Sequence, residues 1–182
     1  MRRAVLIGGL LGAALPGGAS AFAAAPTASP APKPSQARLQ GQFRMTGRVT
    51  SASNVSGVHV GDRVVRKWTF ASTCASGPCS TVTLVRNRGR GNDQLTLKRR
   101  GAGYYTGNGS FYAPLRCGSR VYHRGALVPF TITVRITAAS LSGTTVIATR
   151  VKGSYTNRSR KNLTPCVLEP GHDAAKYIGR PA

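Results

Sequence analysis

Few residues in this chain can move a proton. Its 182 residues include 4 carboxylates and 3 histidines. They form one acid–histidine cluster, Glu169-Pro-Gly-His172-Asp173. A carboxylate beside an imidazole suits general acid–base hydrolysis, here of a nucleic acid or a cell-wall polymer. The remaining carboxylates, Asp62 and Asp93, stand far from the cluster in sequence. No Gly-x-Ser-x-Gly context supports a serine nucleophile. No Gly-rich loop between a strand and a helix resembles a phosphate cradle. The competing reading, and the favoured one, is that 169–173 belong to a solvated polar tail. No catalytic residue, metal ligand or cofactor site is assigned, and a secreted hydrolase stays as the alternative.

The cysteines point to structure rather than catalysis. Cys74 and Cys79 flank Ala-Ser-Gly-Pro between two β-rich runs, 62–73 and 80–86. That is a hairpin signal with a cysteine on each side of its loop. Four cysteines allow three pairings, and Cys74–Cys79 with Cys117–Cys166 is the one expected. On the chain-entropy account the longer bridge contributes about 4 kcal/mol and the shorter about 2. A zinc site would need a second matched pair or a His-x3–5-His, and the sequence has neither. The hairpin also carries Trp68 and Phe70. In simple register these fall on the cysteine face, and Val82 and Leu84 fall on the other. Either both faces are partly covered, or a bulge at 71–73 shifts the register.

Charge is the strongest compositional signal. The chain has 26 Lys+Arg against 4 Asp+Glu, a net +22. Such an excess attracts anionic partners. Three clusters are candidates for holding a polyanion: Arg86, Arg88 and Arg90; Lys98, Arg99 and Arg100; Arg158, Arg160 and Lys161. Other arginines, Arg44, Arg48 and Arg135, fall on strand faces. In a meander the turns after Arg86 and after Arg100 lie at opposite ends, so the clusters need not form one patch. A solvated, mutually repelling surface is the alternative. The expected partners are anionic polymers: cell-wall polymer, acidic polysaccharide or extracellular DNA. A small-molecule ligand is the second possibility, with Trp68, Phe70, Tyr104 and Tyr105 lining its cavity.

Three segments organise the chain. Residues 1–25 read as a signal peptide: Met1-Arg2-Arg3, an apolar run from Ala4 to Leu15, then small-x-small sites between Ala19 and Ala25. The apolar run is too short to span a bilayer, and no later stretch is long enough. Secretion follows, to the medium or the cell wall, and without Arg2 and Arg3 the balance is 24 cations against 4 carboxylates. Residues 26–40 are rich in Pro, Ala and Ser and read as a tether. Residues 41–182 read as one β domain.

Within that domain period-2 alternation recurs and helical periodicity does not. Val128, Phe130, Ile132, Val134 and Ile136 alternate with polar residues and give the cleanest strand. Gly107-Asn-Gly109 suggests a small separate hairpin. The expectation is an all-β antiparallel meander of six to eight strands, closed as a lipocalin-like barrel or stacked as a sandwich. A shift of 87 residues aligns Phe43 with Phe130, Trp68 with Tyr155 and Pro78-Cys79 with Pro165-Cys166. This raises an internal hairpin duplication about a pseudo-twofold. The Trp68-x-Phe70 strand, the Cys74-x4-Cys79 pair and the closing Gly153-Ser-Tyr155 resemble small exported β-rich proteins of unknown function from high-GC, Gram-positive-type bacteria. That resemblance implies export and no particular activity.

Overall fold

The computed structural model of the chain describes residues 30–89 and 91–182. The expected signal peptide, the first residues of the tether and Arg90 lie outside these. Alternating apolar residues build nine strands: β1 (Gly41–Ser53), β2 (Arg63–Ser72), β3 (Thr81–Asn87), β4 (Asn92–Gly101), β5 (Tyr104–Cys117), β6 (Arg120–Ser142), β7 (Thr145–Asn157), β8 (Lys161–Asn162) and β9 (His172–Pro181). Eight of them close an antiparallel barrel in the order β1-β2-β3-β4-β5-β6-β7-β9, with β9 returning to β1. The two-residue β8 pairs with β6 outside that ring. Of the two expected architectures, the chain adopts the barrel. Register shifts at Val49/Ser51 in β1, Arg99/Gly101 in β4 and Ile136–Ala139 in β6 supply the bends that closure needs.

Side chains fill the interior. Trp68 and Tyr105 are 0% exposed and Phe70 is 2% exposed. The Phe43 and Phe70 rings meet edge to face at 5.5 Å, and the Trp68 and Tyr177 rings stand 5.4 Å apart. An eight-stranded barrel is just wide enough to be packed this way. Trp68, Phe70 and Tyr105 therefore occupy the space they were expected to line. The Tyr105 hydroxyl donates to the Cys79 carbonyl at 3.1 Å, which fastens the disulfide loop to the core. Tyr104, the remaining residue of that set, points outward.

One end of the barrel is closed by residues assigned to the tether. A short 3-10 turn, Pro34–Gln36, precedes Ala37 and Leu39, both fully buried. Between them Arg38 joins the β7 backbone: its N–H donates to Val146 O at 2.8 Å, and its carbonyl accepts from Ala148 N–H at 3.0 Å. Its guanidinium reaches the Ser72, Cys74 and Ala75 carbonyls. The packed unit thus begins before Gly41, because the spacing of Ala37 and Leu39 lets both side chains plug the core.

Both expected disulfides are present, with Cα separations of 5.5 Å for Cys74–Cys79 and 6.0 Å for Cys117–Cys166. The register conflict is resolved differently from the expected bulge at 71–73. Trp68 pairs with Arg86, Phe70 with Leu84 and Ser72 with Val82. All the apolar residues therefore share the inner face, and the loop 73–80 absorbs the offset to the cysteines. Residues 107–109 do not form their own hairpin; β5 runs through them. Both glycines sit on the inner face, where a Cβ on Gly109 would stand 2.6 Å from the Phe130 ring and one on Gly107 2.5 Å from Thr96 O. The aligned hairpins are not related by a twofold. Phe43 faces Trp68, whereas Tyr155, the counterpart of Trp68, faces Ile132 rather than Phe130. Moreover β1 and β6 stand five places apart in the ring, where a twofold along the axis of eight strands requires four.

Candidate functional site

The barrel turns part of the expected basic clusters inward. Arg86 of β3 pairs across the ladder with Asp93 of β4. Its Nε and Nη2 donate to one Asp93 oxygen at 3.1 and 2.5 Å. Its guanidinium lies 4.2 Å from the Phe130 ring centre and 4.8 Å from that of Tyr155. Arg88 Nε donates to the other Asp93 oxygen at 2.8 Å and lies over Phe111 at 3.9 Å. A buried carboxylate with two guanidiniums and an aromatic surround fastens the wall, and leaves Arg86 with 4% of its surface exposed. Arg99 donates to Ser35 O at 3.0 Å, which anchors the N-terminal plug. Arg160 donates to Asp173 at 2.9 Å. Lys98, Arg100, Arg158 and Lys161 remain exposed, and they do not converge on one groove.

The acid–histidine cluster is not a solvated tail. His172 and Asp173 open β9, a barrel strand between β1 and β7. Asp173 is engaged by Arg160 and by the Tyr155 hydroxyl at 3.3 Å. Glu169 accepts from Asn54 Nδ2 at 3.1 Å. Burial pushes the Tyr155 hydroxyl far above its usual range, and the neighbouring Asp173 charge adds to the shift. Among the described residues no three His, Cys, Asp or Glu side chains gather as a metal site.

The principal cavity lies on the outer wall, and register builds it. Successive ladder pairs put Tyr104, Arg135, Lys152, Ile178 and Thr46 in one outward row from β5 through β6, β7 and β9 to β1. Two residues along the strands, a second row runs Thr106, Thr133, Ser154, Lys176, Arg48 and, on β2, Arg63. Between them lies the inward row Tyr105, Val134, Gly153, Tyr177, Gly47 and Val64. The two outward rows form the sides of a trough of about 700 Å³. Crossing six strands at about 4.8 Å each, it follows the ring over an arc of about 24 Å.

Glycine makes room for the trough. Gly47 and Gly153 occupy inward positions, so the wall carries no side chains there and settles onto its neighbours. A Cβ on Gly153 would stand 3.0 Å from Met45 Cε, and one on Gly47 2.8 Å from the Tyr177 ring. The rim carries Arg48, Arg63, Arg135, Lys152 and Lys176, and no carboxylate. Arg48 is steadied by donating to Gly61 O at 2.8 Å, and Arg135 lies over Tyr104 at 5.4 Å. Thr46, Thr133 and Ser154 add hydroxyls, and Ile178 adds an apolar surface. Like charges gathered along one groove raise the local anion concentration, and the arginine forks suit phosphate, sulfate or carboxylate.

Comparison with protein families, characterised proteins and solved structures finds no match to this chain. The site therefore rests on its own geometry. Arg48 and Arg135 were legible as strand-face cations. Arg63, Lys152 and Lys176 were not singled out, because only the placement of β9 between β1 and β7 brings them alongside.

Proposed function

We propose that the domain is an exported binding module for anionic polymers, and that the outer trough is where it holds them. One observation carries this reading: five cations and no carboxylate line a single groove across six strands. The basic excess of the whole chain supports it, and so does the signal-like N-terminus, which would bring the domain to wall polymers, acidic polysaccharide or extracellular DNA. The small-ligand reading has less support, since Trp68, Phe70 and Tyr105 occupy the interior. The hydrolase reading has less support, since Asp173 of its acid–histidine cluster is ion-paired with Arg160.

A salt titration of binding to heparin, DNA and wall polymer tests the proposal. Wild type is compared with the triple variant Arg48→Gln, Lys152→Gln, Lys176→Gln. If the trough holds the phosphates, the slope of log K against log salt on duplex DNA flattens by about 2.7 in the variant. Matching changes at the exposed Arg100 and Lys161 leave most of the slope intact. An unchanged slope in the triple variant, or release of wild type from all three polymers near physiological salt, overturns the proposal.

A further inference from the structure

We infer that the preferred polymer is an acidic glycan, read in two parts along the outer face of β6. This inference rests on the trough being an anion site and adds the class of polymer. The observation behind it is a second groove, about 520 Å³, that shares Thr133 with the trough. Ladder register places its lining as the next outward row: Asn108 on β5 faces Thr131 on β6, which faces Thr156 on β7. Pro129 and Arg158 lie beyond. Thr133 lines both, so one polymer leaving the trough there meets this groove next.

The two parts differ in chemistry. The trough presents five cations, whereas the groove presents hydroxyls and an amide with a single arginine. Asn108 already accepts from Thr131 Oγ1 at 2.9 Å, which leaves its amide N–H groups for a ligand. Hydroxyl and amide groups over a proline surface complement the hydroxyls and apolar ring faces of sugars. A nucleic acid single strand asks for a file of exposed aromatics on which successive bases stack. Among the described residues lining this path, the half-buried Tyr104 is the aromatic that points outward, and Arg135 already lies over it. Phe130 lines the groove but is 4% exposed and packed against Arg86. A polymer with anions on closely spaced rings and free hydroxyls fits both parts; DNA and polyphosphate fit only the first.

The experiment uses the exported full-length domain with short and long oligogalacturonates, single-stranded DNA and polyphosphate of matched charge. The long oligogalacturonate is expected to bind about tenfold more tightly than the other two polyanions, or about 1.4 kcal/mol. The variant Thr131→Val, Thr156→Val removes two hydroxyls from an exposed strand face. It is expected to bring the long oligogalacturonate down to the affinity of the short one, with DNA and polyphosphate unchanged. The variant Lys152→Gln, Lys176→Gln weakens every probe. Equal affinity for all polyanions, or a valine variant that binds the long oligogalacturonate as tightly as wild type, overturns the glycan inference while the anion site stands. Binding of none of the probes at physiological salt overturns both.

Discussion

Gly153 of β7 lies against the indole of Trp68 of β2, close enough that an added Cβ would stand 2.9 Å from Cζ3. Two strands of wall, β1 and β9, stand between them around the ring, yet they touch through the interior. The core is therefore packed to its limit beneath the trough. Gly153→Ala forces the indole or Met45 to move and is expected to cost about 1–3 kcal/mol. Gly179→Ala, where a Cβ would meet Val151 Cγ2 at 2.6 Å, is expected to do the same. Urea midpoints with unchanged m-values check both.

The Arg86–Asp93 pair has side chains only 5% exposed on each partner. Removing one partner strands the other. Asp93→Ala is expected to destabilise by about 3–5 kcal/mol, since it leaves Arg86 and Arg88 without their carboxylate. Replacing both, as Arg86→Met with Asp93→Leu, is expected to cost less than the two single changes summed. A double-mutant cycle in urea measures the difference.

Arg158, Arg160 and Lys161 look alike in sequence and are expected to differ in consequence. The side chain of Arg160 is 20% exposed and faces Asp173. Arg160→Glu puts two carboxylates together in a partly dry site and is expected to lower stability by about 2 kcal/mol or more. Arg158→Glu and Lys161→Glu are expected to stay within about 0.5 kcal/mol. Thermal melts of the three single variants separate the outcomes.

Burial raises the Tyr105, Tyr155 and Tyr177 hydroxyls above the usual 10.0. Arg99 partly offsets the shift at Tyr105, and Arg66 and Arg86 do so at Tyr177. With folded values above the unfolded one, the native state binds more protons than the unfolded state above pH 10. Stability is then fully present below that pH and is lost as pH rises through the folded values. Urea midpoints measured from pH 8 to 11.5 are expected to hold level and then fall. Tyr155→Phe, which removes the most shifted group, is expected to soften that fall.

Strand identity and the Cys74–Cys79 bridge were legible because both are local, and Cys117–Cys166 is the pair that remains. Val128 to Ile136 alternate in sequence as they do in the barrel, and the Cys74–Cys79 loop is short enough to pair by geometry alone. Burial at Arg86 was hidden by its charge: only its cross-strand meeting with Asp93 makes an arginine acceptable inside. The plug was missed because Ala37 and Leu39 follow a proline-rich stretch whose composition outweighed two small apolar signals. The trough was half-visible. Its cations sit on strands that read correctly, but their neighbourhood depends on β9, whose first residues read as a polar tail.

The position of β9 also governs when the barrel can exist. β1 and β7 each offer an unpaired edge until residues 172–181 arrive between them. Strands β1 to β7 can each pair with a sequence neighbour as they emerge, but the ring cannot seal, and Tyr177 cannot reach Trp68. Closing a contact between Phe43 and Pro181 spans most of the domain, the kind of distant pairing that slows folding. The nascent chain waits as an open, sticky ribbon with two edges bare. Final closure is thus deferred until β9 has been made, so a chain cut before His172 keeps both edges bare.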